Sequence, residues 1–208
     1  MALKTFNGKA VAGIKTFLGK AIAGVYAVDW VTLNSVFATR DPANKNANIV
    51  LSWWNLIATN PAGTTGSVKS TLFKGGGKRY WECTINSQGS LVVVGIGKST
   101  ATLANYPWFD ANGYGYLYSN GKKITGNSQV TYGAAYTTWD IISVALDLTV
   151  WEVTFYKNWV SQWVAYTWIT WSFYAMSGVR GGAIVTVNFG ATAFAYTPPA
   201  GFNAGLYT

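Results

Sequence analysis

Histidine is absent from the 208 residues of this chain, and cysteine occurs once, at Cys83. One thiol excludes a disulfide within the chain, and without histidine the common Cys/His metal sets lose their ligands, so no metal and no cofactor are expected. A serine or cysteine nucleophile loses its usual base by the same absence. Acids are scarce, seven against fifteen Lys and Arg, which leaves a net charge of +8. That excess favours anionic partners at long range. The cations are scattered, however, with the tightest group at Lys69, Lys74, Lys78 and Arg79. Neither a basic helix nor a nucleic-acid motif accompanies them, so nucleic acid is not expected as a partner. No apolar run approaches the ~20 residues that span a bilayer, so no membrane insertion is expected. Lys4, Lys9, Lys15 and Lys20 break up the N-terminus, which therefore lacks the apolar core of a secretory signal.

Apolar and aromatic residues are plentiful, at 50% and 16% of the chain. The length suits one sizeable domain plus an appendage, with roughly 70% of the unfolded surface buried. The appendage carries a repeat. Residues 4–13, KTFNGKAVAG, return as residues 15–24, KTFLGKAIAG, and a degraded third copy from Val25 places Asp29 and Trp30 where Asn7 and Gly8 stand. Each unit reads as a short strand, such as Ala10 to Phe17, and a turn at Asn7-Gly8 or Leu18-Gly19. A helical reading is disfavoured, because each interior glycine would cost a helix about 1 kcal/mol. So small a unit needs neighbours or other subunits to bury its apolar side.

Beyond residue 35 the turn and strand signals alternate. Asp41 to Lys45 and Asn60 to Gly66 read as loops, Asn48 to Ser52 and Val68 to Phe73 as entry strands. From Arg79 the period is two, with Trp81, Cys83 and Ile85 on the face expected to be buried and Tyr80, Glu82, Thr84 and Asn86 on the other. Val92 to Ile96 is apolar throughout, as in a central strand. Asp140 to Asp147 and Val153 to Lys157 form an expected adjacent pair, and Ala183 to Phe189 a late strand. The fold class is all-β, an antiparallel sandwich over residues 36–208 preceded by the repeated strand segment at 1–35. Trp53 and Trp81 are expected in its core.

The segments GKRYWECTI, SLVVVGIGKS, ANYPWFDANGYGYLYSNGKK, DIISVALDLTVWEVTFYKN and IVTVNFG follow one another between Gly77 and Gly190. In this order they resemble a SPRY domain. The resemblance implies a β-sandwich that binds partners through loops and performs no catalysis. The N-terminal repeat is similar to K-[ST]-[FIVY]-N-G-x-A-[IV]-A segments in proteins of tailed bacteriophages, often ahead of a β-rich domain. That likeness implies a virion protein at the tail or head surface. It would form homotrimers or higher oligomers and meet other virion proteins, a host receptor or a glycan. A soluble adaptor that grips a peptide with the same sandwich is the alternative, and a carbohydrate-binding or glycosidase module the third.

The chain departs from the SPRY pattern at its turns. Glycine normally follows the F-Y-K-N strand, and here Trp159 stands there; Trp139, Trp151, Trp163, Trp168 and Trp171 likewise occupy positions that suit a small turn residue. Asparagine-glycine hairpins need positive φ, which a large side chain resists. Three explanations stand: turns of another type, an aromatic interface built into loops, or a written sequence that departs from the gene's product.

Candidate catalytic groups are weak. Paired acids for a glycosidase would come from Asp110, Asp140 or Glu152, yet Asp110 and Asp140 read as turn residues, and Asp147 and Glu82 lie in segments the resemblance treats as structural. Gly95 to Ser99, GIGKS, lacks the spacing and the following helix of a phosphate loop. No enzyme is expected. Binding fits better. The loop Tyr106, Trp108 and Phe109 offers rigid aromatics, Arg79 and Lys98 add charge, and Trp159 and Trp163 add apolar area. The bland reading of Tyr106 and Trp108 is that they pack on the sandwich end.

Overall fold

The computed structural model describes residues 16–17, 20–21, 36–105 and 108–208. The chain divides into two compact units, residues 1–36 with Thr208, and residues 37–207. In the first unit β1 (Thr16–Phe17) and β2 (Lys20–Ala21) pair antiparallel, Thr16 opposite Ala21 and Phe17 opposite Lys20. They flank the pair Leu18-Gly19 that reads as a turn. The remaining repeat, including Asn7-Gly8 and Trp30, lies outside the described residues.

The second unit is a two-sheet sandwich. One sheet runs β11 (Ser128–Val130), β10 (Lys123–Thr125), β9 (Gly113–Leu117), β8 (Leu91–Gly97), β15 (Phe173–Arg180), β6 (Gly66–Lys74) and β3 (Arg40–Lys45). The other runs β14 (Val160–Tyr166), β13 (Glu152–Lys157), β12 (Ile141–Asp147), β7 (Lys78–Ser87), β16 (Ala183–Asn188), β5 (Ile57–Asn60) and β4 (Val50–Ser52), and β17 (Asn203–Ala204) adds a short parallel pairing to β7. All other pairings are antiparallel, as expected. The predicted pair β12 and β13 are neighbours in register from Ile142–Lys157 to Asp147–Glu152. Asp41 to Lys45, read as a loop, instead joins the sheet edge as β3. Its pairing to β6 jumps between Arg40 and Lys45, so a bulge carries Pro42 past the ladder.

The sheets meet over Trp81, Cys83 and Ile85 of β7, Val92, Val94 and Ile96 of β8, and Val144 and Leu146 of β12, all buried. The alternation on β7 predicted that face correctly and missed the other. Tyr80 and Glu82 are also buried, because the segment after β16 folds back over them. Phe194 meets the Tyr80 ring edge-on at 5.1 Å, and the backbone N–H groups of Ala195 and Tyr196 donate to the Glu82 carboxylate at 2.8 and 3.0 Å. β8 is covered on its second face as well, where Leu91 and Val93 pack with Ala101, Trp108, Leu117, Ile124 and Met176.

Arg40 ties the layers together from inside. Only 2% exposed, its guanidinium donates to the carbonyls of Leu56 and Val185, both at 3.2 Å, and to Ser177 Oγ at 3.1 Å. Burial lowers its pKa to about 10. Replacing it takes this donor from two buried acceptors, Ser177 Oγ and the Val185 carbonyl, while the Leu56 carbonyl keeps the Val187 N–H at 3.0 Å, so Arg40→Met is expected to lower the unfolding free energy in urea by about 2 kcal/mol, a large fraction of a typical domain's stability. A loss under about 1 kcal/mol would show that the acceptors find other partners.

The tryptophans divide sharply. Trp81 and Trp108 are 1% and 0% exposed. Trp53, Trp54, Trp139, Trp151, Trp159, Trp163, Trp168 and Trp171 are between 36% and 84% exposed, and every one has a left-handed backbone, with φ from 49° to 105°. Trp53 therefore does not join the core, contrary to expectation. It begins a run of three left-handed residues, Trp53, Trp54 and Asn55, between β4 and β5. Such a backbone costs a bulky L-residue about 1–2 kcal/mol.

Candidate functional site

Strand register fixes which residues share an end of the sandwich. Tyr174 at the start of β15 lies opposite Gly97 on one side and Phe73 on the other, and Phe173 lies opposite Lys74. The end of β8, the end of β6 and the turn into β7 therefore sit together. Lys98 follows β8, and its N–H donates to the Asn112 carbonyl at 2.8 Å, which closes the 98–112 loop at the mouth of β9. This end carries Lys74, Lys78, Arg79 and Lys98, with the exposed ring of Phe109 on the loop. Beside Lys98 opens a cleft of about 520 Å³, lined by Lys98, Ser99, Thr100, Asn112, Trp171 and Ser172.

Acids at this end are turned to structural work. Asp110 accepts the N–H groups of Asn112 at 2.8 Å and Thr102 at 3.3 Å. Asp147 pairs with Lys78 at 2.8 Å and accepts from Thr149. Burial pulls its pKa upward, but these partners outweigh burial and leave it below the ordinary carboxylate value. Lys69 lies under the loop, donating to the Ser99 carbonyl at 2.6 Å, and burial lowers its pKa. Arg79 stacks its guanidinium over the Tyr207 ring at 5.3 Å, while its Nε is buried with no acceptor.

The strand register places Arg79 and Lys98 at the same end of the sandwich, while Phe109 sits on the loop that follows Lys98, beside the turn between β10 and β11. Trp108 is a correction: its ring fills the second cluster, where a Cβ on Gly115 would come within 2.5 Å of it. It packs on the sandwich end, and its Nε1 has no partner. The glycines of GIGKS serve the same packing, since a Cβ on Gly95 would sit 2.1 Å from the Tyr114 carbonyl and 3.0 Å from the Trp108 ring. Tyr106 lies outside the described residues. Trp159 comes two residues after Lys157, which pairs with Ile142 at the opposite end, and stacks between Tyr156 and Tyr196, each centroid 5.9 Å away. Trp163 stands on edge strand β14, 79% exposed. The cluster's remaining members, Lys74 and Lys78, were visible only as charges near one another in sequence. The strand that separates β6 from β8 is β15, about eighty residues further on, so nothing local signalled Lys98 as their neighbour.

The candidate acids do not converge. Asp140 lies at the start of β12, at the far end from Asp110, held by Lys157 at 3.2 Å, Asn158 at 2.6 Å and the Thr137 N–H at 2.8 Å. Glu152 pairs across from Asp147 in the β12–β13 ladder. Among the described residues no group of three or more His, Cys, Asp or Glu could hold a metal ion. Among these residues there is no helix long and apolar enough to cross a membrane.

Comparison with known proteins matches residues 78–192 to the SPRY domain. The chain is 32% identical over 122 residues to Ran-binding protein 9 of Xenopus tropicalis and of Xenopus laevis, a match that covers 56% of this chain and 22% of each relative. It thus spans about a fifth of the length of those relatives. Among solved structures, the SPRY domain of human HERC1 aligns with a TM-score of 0.64 at 18% identity, covering 71% of this chain and 96% of that one. The PSpry domain of TRIM65 aligns with a TM-score of 0.61 at 14% identity, covering 74% and 92%. Likeness at these identities establishes the fold.

Proposed function

The chain belongs to the SPRY domain family, and from that premise we propose a non-enzymatic module whose cationic sandwich end grips an acidic segment of a partner protein. SPRY domains are generally protein-interaction modules. The observation that carries the choice of end is its uncompensated positive charge: Lys78 and Asp147 neutralise each other and Asp110 is held by backbone N–H groups, which leaves Lys74, Arg79 and Lys98 with no ion-pair partner among the described residues. Phe109 supplies an exposed rigid ring on the loop that follows Lys98. The eukaryotic relatives favour a SPRY adaptor over a phage structural role.

A peptide-display library panned on the full chain tests the reading. Enriched peptides are expected to be acidic and to lose binding to an Arg79→Glu, Lys98→Glu double variant. Enrichment of neutral peptides that bind both forms equally would contradict it.

A second reading keeps the same sandwich and places it on a tailed-bacteriophage virion, facing a host receptor, a glycan or another virion protein. One sequence feature favours it, the eleven-residue repeat ahead of the sandwich. Light scattering separates the two contexts. A virion component assembles into trimers or larger species that fall apart when residues 1–35 are removed, and an adaptor is monomeric in both forms.

A further inference from the structure

Three patches stand out beyond the cationic end: the cleft beside Trp171, the edge strand β14 with Trp163, and the stack of Tyr156, Trp159 and Tyr196. All three depend on tryptophans with left-handed backbones, and that shared property is the more informative observation. Among the described residues, every non-glycine with such a backbone is either tryptophan, at eight positions, or asparagine, at Asn55, Asn127 and Asn158. Asparagine visits this region readily; among ordinary residues a bulky aromatic is one of the least suited to it. The remaining described tryptophans, Trp81 and Trp108, have ordinary φ and are buried. No interface selects for positive φ, since an exposed aromatic serves as well on an extended backbone. Drift does not explain why one residue type takes all the forbidden positions.

The local geometry at each site asks for glycine. Trp163 sits at the register break of the β13–β14 pair, between Thr154–Val164 and Tyr156–Ser161, where a bulge commonly takes a left-handed glycine. Asn158-Trp159, with φ of 47° and 71°, joins β13 to β14 in the backbone of an asparagine-glycine hairpin. Trp53 and Trp54 are consecutive, as glycine pairs are in tight connections. The repeat supplies independent support outside the sandwich: Gly8 and Gly19 are eleven residues apart, and Trp30 is the next position in that register.

We infer that these positions carry glycine in the protein as its own cell makes it, because the gene encodes them with UGA and that cell reads UGA as glycine. UGA differs by one base from the tryptophan codon UGG and by one base from the glycine codon GGA. Cellular codes exist that assign it to either residue. A gene written in the glycine code and translated in the tryptophan code acquires tryptophan only where glycine belonged, and leaves its true tryptophans untouched. The separation of Trp81 and Trp108 from the rest is that pattern. It follows that the exposed tryptophans, Trp159 and Trp163 included, form no binding surface. The cleft beside Lys98 is wider by one indole, and the protein comes from a cell, or a virus of a cell, with the reassigned codon. None of this depends on what the sandwich binds.

Two measurements test it. The codons at 30, 53, 54, 139, 151, 159, 163, 168 and 171 are expected to be UGA, and those at 81 and 108 to be UGG. Standard UGG at any of the left-handed positions overturns the inference. Tryptic peptides from cells that carry the gene give the second readout. The peptide Asn158–Arg180, which contains Trp159, Trp163, Trp168 and Trp171, is expected at the mass with four glycines, while Tyr80–Lys98 keeps the mass of tryptophan at Trp81. A tryptophan mass at all four sites overturns the inference.

Discussion

A chain with glycine at Trp53, Trp54, Trp139, Trp151, Trp159, Trp163, Trp168 and Trp171 unfolds at a higher temperature than the tryptophan chain, by about 8–30 °C. The left-handed backbone costs each tryptophan about 1–2 kcal/mol, and glycine returns part of that through its larger unfolded-state entropy, about 0.5–1 kcal/mol. A net gain on the order of 0.5–1 kcal/mol at each of eight positions sums to about 4–8 kcal/mol, comparable with the whole stability of an ordinary domain. For a chain of this length each kcal/mol moves the midpoint by about 2–4 °C. The sites will not contribute equally. Trp159 loses its stacking on Tyr156 and Tyr196, worth about 0.5–1.5 kcal/mol, and should gain least. Trp53 and Trp54 are adjacent and stacked at 6.0 Å, so their effects couple. Trp81→Gly and Trp108→Gly must go the other way, by about 3–5 kcal/mol each, because they empty packed core. Differential scanning calorimetry checks both signs. A midpoint that fails to rise in the eightfold variant would show that the turns tolerate the aromatics.

Stability is expected to collapse in alkali and to change little between pH 5 and 8. No histidine titrates in that neutral window. Asp140 and Asp147 are both held below the ordinary carboxylate value, since their donors outweigh the upward pull of burial. Their contribution is therefore present above the unfolded carboxylate pKa and is lost only as pH falls below it. The alkaline limb is steeper. Tyr80, Tyr116, Tyr136 and Tyr166 are buried, and burial is the main cause that raises each phenol above its ordinary value of 10. Unfolded tyrosine loses its proton near that value while the folded one keeps it, so the folded state binds more protons and stability falls as pH rises. At one pH unit above it, each contributes about 1.4 kcal/mol of loss, or roughly 5–6 kcal/mol for the four. Burial raises Cys83 to about 11, which acts in the same direction from the unfolded thiol value upward. Arg40, lowered to about 10, acts oppositely, because a folded guanidinium that gives up its proton escapes its desolvation. One arginine offers only about 1.4 kcal/mol at that pH, so the tyrosines win. Circular dichroism against pH should show a cooperative transition between about pH 10 and 12. An unchanged unfolding free energy at pH 11 would contradict the account.

The strands were legible where one face is buried and the other wet, as at Trp81, Cys83 and Ile85, because period two then appears in the sequence. They were partly illegible where both faces are covered. Tyr80 and Glu82 looked solvent-facing, and only the return of Phe194 to Tyr196 over β7 buries them. Arg40 gave no sign of being an internal tie, since its acceptors come from residues 16 to 145 positions away. The aromatic loop around Trp108 and Phe109 was legible only in part. Trp108 and Phe109 are neighbours in sequence, and the loop turns one ring into the cluster over Gly95 and Gly115 and the other outward. The misfit of tryptophan at turns was visible in the sequence, but only the φ angles extend it to Trp53 and Trp54 and separate those sites from Trp81 and Trp108.

Isothermal titration of a selected acidic peptide against charge-reversed chains tests the binding account most directly. The comparison needs a cation remote from the proposed end, and Lys122, at the β9–β10 turn, provides it. Arg79→Glu and Lys98→Glu are each expected to weaken binding at least about tenfold, the effect of 1.4 kcal/mol, and added salt to weaken it further. Lys122→Glu should leave it unchanged. Equal losses in all three variants would reduce the interaction to net charge, and no loss at Arg79 or Lys98 would place the binding surface elsewhere on the sandwich.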